Sequence, residues 1–89
     1  MTDHTMQITR DLVTILVFDI TGNKIIDSSQ ALIENGIIDS LGLIRLIVAL
    51  EERFEILFEL EELNLESFSS IEKVSWLVEQ KRGARQGNQ

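Results

Sequence analysis

Asp39-Ser40-Leu41 is the point in this sequence where a side chain able to do chemistry sits in a setting that could present it. Ser40 offers a hydroxyl. Asp39 suits the cap of a helix starting here, because its carboxylate can accept from the first free backbone N–H groups and favours the positive end of the helix dipole. A serine becomes a nucleophile only beside a base, and no histidine, lysine or paired carboxylate accompanies Ser40. Taken alone, Ser40 therefore reads as part of a helix cap. The remaining inventory is thin. There is no cysteine, so no disulfide framework, thiolate metal site or protein thiol. The single histidine, His4, cannot form a zinc cluster or a catalytic pair and reads as an uninvolved terminal residue. No catalytic set and no metal site are expected, and Ser28-Ser29 and Ser69-Ser70 read as turn or cap chemistry.

The elements that must position Ser40 follow from periodicity. The chain has 89 residues, 44% of them hydrophobic and 26% charged, the balance of one small globular domain. Ile8, Leu12, Ile15 and Leu16 recur at helical spacing, with Val13 and Val17 beside them, and predict a first helix over residues 3–18 that Asp19, Gly22 and Asn23 stop. A long connection to Asp39 follows, pinned by Ile25, Ile26, Leu32, Ile33, Ile37 and Ile38, with one short helical turn around Gln30 to Glu34. The helix capped by Asp39 should reach about Phe54. Residues 55–66 read as a loop carrying a short third helix. Ser69-Ser70-Ile71-Glu72 has the pattern of a capping box and opens a last helix with Ile71, Val74, Leu77 and Val78 on one face and Lys81 and Arg82 at its end. Trp76 falls off that face and should be half exposed. The expected domain is 1–82, and 83–89, without apolar residues, should be a disordered tail.

Charge narrows the partners. The formal net charge is −7, which argues against nucleic acid and for partners with basic surfaces. Between Glu51 and Glu66 seven acids face one base, Arg53, a net of −6, while Lys81, Arg82 and Arg85 make the end of the chain basic. Leu46 to Leu50 is the longest apolar run, far short of a membrane span, and the polar Thr2, Asp3 and His4 do not resemble a signal peptide, so a cytoplasmic location is expected.

The second helix has more apolar residues than one core can use. Leu43, Leu46, Ile47, Leu50 and Phe54 form the stripe that a bundle needs. Leu41, Ile44 and Val48 form a separate line, which either lies under the long connection or remains exposed as a docking strip for other proteins.

The wording Glu34-Asn35-Gly36-Ile37-Ile38-Asp39-Ser40-Leu41 resembles the acyl carrier protein family, which has Asp-Ser-Leu or Asp-Ser-Met at the start of its second helix. The segment from Leu46 to Phe54 looks like that family's second helix, and Glu59 to Val78, with Phe68 and the Ser70-Ile71 start, looks like its third and fourth, so the likeness covers about Ile8 to Arg82. The motif is also similar to stand-alone D-alanyl and aminoacyl carrier proteins and lacks the Gly-Gly-His-Ser common in peptide synthetase modules. The resemblance implies an all-α four-helix bundle with a short third helix and a long first loop. It implies that Ser40 carries 4′-phosphopantetheine, from coenzyme A, whose thiol holds an acyl or aminoacyl thioester. It implies a monomeric, non-catalytic carrier and these partners: a phosphopantetheinyl transferase supplying base and Mg²⁺, a loading ligase, and a downstream synthase or transferase. Asp39 would assist recognition, and Leu41, Ile44, Arg45, Val48, Glu51 and Glu52 would meet partners. Two departures stand out. Gly42 and Arg45 replace the acids common after the motif, so recognition should rely less on charge near Ser40. Glu59 replaces a common proline, so that segment should be less firmly fixed. The alternative from another class is an unmodified helical interaction module that docks through Leu41, Ile44 and Val48.

Overall fold

A computed structural model describes residues 3–23 and 27–87. The described chain is all-α: three α-helices, α1 (Asp3–Thr21), α2 (Ser40–Phe54) and α3 (Ile71–Gly87), with one 3₁₀ turn (Leu60–Glu62) and no strand among the described residues. Ile20 near the end of α1 lies against Gly42 at the start of α2, and Thr9 in the first half of α1 is hydrogen-bonded to Glu79 at the middle of α3. The Arg82 guanidinium of α3 sits 5.8 Å from the ring centroid of Phe54 at the end of α2. The end of α1 thus meets the start of α2, and the end of α2 meets the second half of α3.

The core gathers Val13 and Val17 from α1, Leu46, Leu50 and Phe54 from α2, and Ile71, Val74, Leu77 and Val78 from α3. Side chains of this size contribute about 1.5–3 kcal/mol each when fully buried. On α1 the inward line is displaced from the expected one. Thr9, Val13 and Val17 are fully buried, whereas Ile8 and Ile15 are 57% and 54% exposed. This helix is apolar around much of its circumference, so tertiary packing rather than its own periodicity selects the buried line, and buried Thr9 fits because Glu79 takes its hydroxyl hydrogen.

The helix boundaries follow local chemistry. α1 runs three residues past Phe18 and stops at Gly22, whose φ of +76° is the left-handed conformation of a helix terminus and whose N–H reaches Phe18 O at 2.7 Å. α3 begins one residue later than the sequence pattern places it. Ser70, not Ser69, is the cap: its Oγ accepts from Lys73 N at 3.1 Å, while the Ser69 hydroxyl donates back to Glu66 O. Glu72 donates its backbone N–H to Ser28 O at 2.9 Å, so the expected Ser69–Glu72 box is replaced by a cap shared with the long connection. α3 also continues to Gly87, beyond the expected boundary at Arg82, as Ala84, Arg85 and Gln86 are good helix formers with no proline to stop them. Residues 88–89 of the expected tail lie outside the described residues.

The expected third helix reduces to the 3₁₀ turn, so three α-helices stand where four were anticipated. Leu60 is 84% exposed and Leu63 40%, so this stretch has no buried stripe to stabilise a longer helix. Like charges at Glu55 and Glu59, and at Glu62 and Glu66, would also repel one helical turn apart. The segment is nonetheless fastened. Glu59 N donates to Glu62 Oε1 at 2.6 Å, Glu62 Oε1 pairs with Lys81 Nζ at 2.9 Å, and Phe58 meets Phe68 edge to face with centroids 5.4 Å apart. Carboxylate bonds thus hold the segment at Glu59, which was expected to be less firmly fixed for want of a proline.

The long connection is pinned at Leu32 and Ile38, which are 0% and 2% exposed. Leu32 N donates to Ser69 O, and Leu32 O accepts from the N–H groups of both Ile37 and Ile38. The expected helical turn at Gln30 to Glu34 is instead a hydrogen-bonded turn over residues 32–36, closed by Gly36 at φ +72°. The Asn23 side chain donates to Ile37 O at 3.4 Å and draws the two ends of the connection together. Ile25 and Ile26, expected as further anchors, lie outside the described residues, as does the side chain of His4.

Candidate functional site

Ser40 is the first residue of α2, and its side chain is exposed. Asp39 precedes it in extended backbone and turns its carboxylate into the helix, where Oδ1 accepts from Gly42 N at 2.8 Å. The cap therefore occupies Asp39 and leaves the Ser40 hydroxyl without a hydrogen bond among the described residues. Behind it, Ile38 and Leu32 are buried, so the residue before the cap is anchored in the core while the serine faces solvent. Backbone N–H groups in this first turn give a positive end toward which a phosphate can hang. These features fit a phosphodiester on Ser40: a free hydroxyl, open space around it, and a carboxylate neighbour held in a hydrogen bond away from it.

Gly42 permits the arrangement. A Cβ at this position would stand 2.9 Å from Ile38 Cγ1, 3.2 Å from Asp39 Oδ1 and 3.7 Å from Ile20 Cγ2. Sequence reasoning treated Gly42 only as a missing acid; its steric function shows up once α1 and the connection are seen to close on it.

Leu41, Ile44 and Val48 are 58%, 58% and 47% exposed, so the long connection does not cover this line, and Arg45 is exposed beside them. Leu43 and Ile47, by contrast, pack partly buried against the core with Leu46, Leu50 and Phe54. The two acids named with this face differ. Glu52 is exposed, while Glu51 Oε2 accepts from Phe58 N at 3.1 Å and holds the chain as it leaves α2. The helix ends at Glu55, in left-handed backbone at φ 56°. Trp76, as expected, is largely exposed at 57%.

The acids of the 51–66 stretch are partly neutralised. Partial burial pushes the Glu62 carboxyl up, but the Glu59 N–H and the Lys81 ammonium outweigh it and hold the group below its ordinary range. Glu66 is also held low by its hydrogen bond and ion pair with Lys73. In the connection, the backbone N–H and hydroxyl of Ser29 lower the Asp27 carboxyl. None of these groups adjoins Ser40, and no helix among the described residues is long and apolar enough to cross a membrane.

No curated protein matches the chain. A family model described as "Phosphopantetheine attachment site" matches residues 11–75, most of the sequence, spanning α1 from Asp11, the long connection, all of α2 and the first turn of α3. Domains of this kind carry covalent 4′-phosphopantetheine and are generally non-catalytic, which agrees with a serine that is exposed, lacks an activating base and stands at a helix start. The chain belongs to the phosphopantetheine attachment site family, and is a carrier protein of the acyl carrier type.

Proposed function

We propose that Ser40 is the attachment residue and that the protein delivers an acyl or aminoacyl group, held as a thioester on the phosphopantetheine thiol, to partner enzymes. The observation that carries this reading is the exposed Ser40 hydroxyl at the first position of α2, with Asp39 held in its own cap bond. Its chemistry is passive. A phosphopantetheinyl transferase brings the base and metal, coenzyme A supplies the group, and Ser40 supplies an oxygen. When bound, the group contributes a thiol that the chain itself lacks. Attachment leaves Asp39 to fix the direction of the first turn and to be read by the transferase.

Partners meet the exposed face of α2. Leu41, Ile44 and Val48 form its apolar contact, Arg45 and Glu52 its polar edge, and a loading ligase and a downstream synthase or transferase use the same face in turn. Glu51 serves there mainly by shaping the end of α2. The carrier acts as a monomer in the cytoplasm, and its net charge of −7 suits partners with basic surfaces. The test is intact mass after incubation with coenzyme A, Mg²⁺ and a broad-specificity phosphopantetheinyl transferase. A gain of one phosphopantetheine is expected, followed by a hydroxylamine-labile adduct on protein taken from its native source. No gain at all would leave the unmodified interaction module instead.

A further inference from the structure

A cleft of about 250 Å³ opens beside the start of α2, between the end of α1 and the turn of the long connection. Ile20, Ile37 and Leu41 give it apolar walls, and Thr21, Asp39 and Arg45 give it polar ones. Two of these residues, Asp39 and Leu41, are the sequence neighbours of Ser40, which does not itself line the cleft, so a group attached to the serine begins one residue away from it.

Arg45 is the unusual member. Among the described residues Lys73, Lys81 and Arg82 each pair with a glutamate, whereas Arg45, like Arg10 and Arg53, has no such partner, and of these three it alone lines the cleft. On an ideal helix the Cα atoms of Ser40 and Arg45 are about 9 Å apart. A long helical side chain turns back toward the N-terminus, over the residues three and four before it, which for Arg45 are Gly42 and Leu41 in the turn that Ser40 opens. Its planar fork matches phosphate oxygens in a way that an ammonium does not. A phosphate fixed to the same helix also has a high effective concentration compared with a group on a passing partner.

We propose that Arg45 pairs with the phosphodiester on Ser40 and that this cleft seats the first part of the phosphopantetheine arm against Ile20 and Ile37, so that the arm leaves the carrier in one direction. This rests on Ser40 being the attachment residue. Pairing with the phosphate also offsets the repulsion between it and the neighbouring Asp39 carboxylate.

The test compares apo and holo protein, prepared with coenzyme A, by NMR in the wild type, in Arg45→Gln, in Arg45→Lys and in Arg53→Gln, a control at the far end of α2. Intact mass on each sample records attachment separately. Attachment in the wild type should shift the Arg45 Nε–Hε signal and the amides of Ile20, Thr21 and Ile37, together with those of Asp39 to Gly42. Arg45→Gln, loaded to completion with excess transferase and confirmed so by mass, should lose the shifts at Ile20, Thr21 and Ile37 and move the ³¹P signal of the phosphodiester. Arg45→Lys should keep part of them, and Arg53→Gln all of them. Fully attached wild type whose shifts stop at Asp39 to Gly42, with Arg45 Nε–Hε unmoved, would overturn the inference while leaving the carrier function intact. Failure of attachment in every sample would overturn both.

Discussion

Substituting Gly42 by alanine sets two effects of similar size against each other. In a helix interior alanine is favoured over glycine by up to about 1 kcal/mol, a gain that shrinks in the first turn. Against it stands a contact of 2.9 Å between the new Cβ and Ile38 Cγ1. Ile38 is 2% exposed and anchored through its backbone to Leu32, so it has little room to yield. Overpacking of this kind costs about 1–3 kcal/mol. The Cβ also stands 3.2 Å from Asp39 Oδ1, the atom that accepts from Gly42 N, so the cap loosens and part of its roughly 1 kcal/mol is lost. The net expectation is destabilisation by about 1–3 kcal/mol, and at about 4–8 °C per kcal/mol for a domain of this size Tm should fall by at least several degrees. Because the two residues share one hydrogen bond, Asp39→Ala combined with Gly42→Ala should cost less than the two separate losses added together. Thermal melts of the two single variants and the double variant measure both quantities. A Gly42→Ala protein that melts at or above the wild-type temperature would refute the reasoning, because propensity would then outweigh the close approach.

Ile44→Ala should leave Tm nearly unchanged, within about 0.5 kcal/mol, and weaken binding to the transferase by roughly 1–3 kcal/mol. Leu50→Ala, at a fully buried site, should cost about 2–5 kcal/mol of stability, and paired melts and binding titrations separate the two residues. Salt should raise Tm, because the excess acid of residues 51–66 repels itself more strongly than the Glu62–Lys81 pair attracts; a Tm that falls between low and moderate salt would contradict this. Glu62 is depressed in the folded state, so its contribution to stability is full above the ordinary glutamate range and is lost as pH falls through the lowered value. A carboxyl ¹³C titration should place its midpoint below that of an ordinary glutamate, and Lys81→Gln should raise it.

Much of the site was legible in the sequence. Asp39, Ser40 and the extent of α2 follow from one capping residue and a strong apolar stripe, both local signals that tertiary structure reinforces. The separate line of Leu41, Ile44 and Val48 was legible as an excess, though its exposure depended on where the long connection packs. Other features depended on distant residues. Thr9 is buried because Glu79 on α3 meets it, and the line Thr9-Val13-Val17 could not be chosen from a helix apolar on several sides. Ser70 rather than Ser69 caps α3 because Ser28, across the molecule, takes the Glu72 N–H. The stretch around Leu60 carries acids and leucines at spacings compatible with a helix, and its exposure together with its like charges reduces it to one 3₁₀ turn. Gly42 and Arg45 looked like missing acids in sequence, and their placement against Ile38 and along the cleft is a property of the assembled fold.

The claim on which the account depends is that the hydroxyl of Ser40 bears the phosphopantetheine, and the direct measurement is peptide mapping by tandem mass spectrometry of wild type and Ser40→Ala after incubation with coenzyme A and transferase. One phosphopantetheine is expected on the wild-type peptide that contains Ser40 and none on Ser40→Ala, whose circular dichroism and melt should match the wild type because the exposed hydroxyl makes no hydrogen bond among the described residues. Label on Ser28, Ser29, Ser67 or Ser69, or any label on Ser40→Ala, would contradict it.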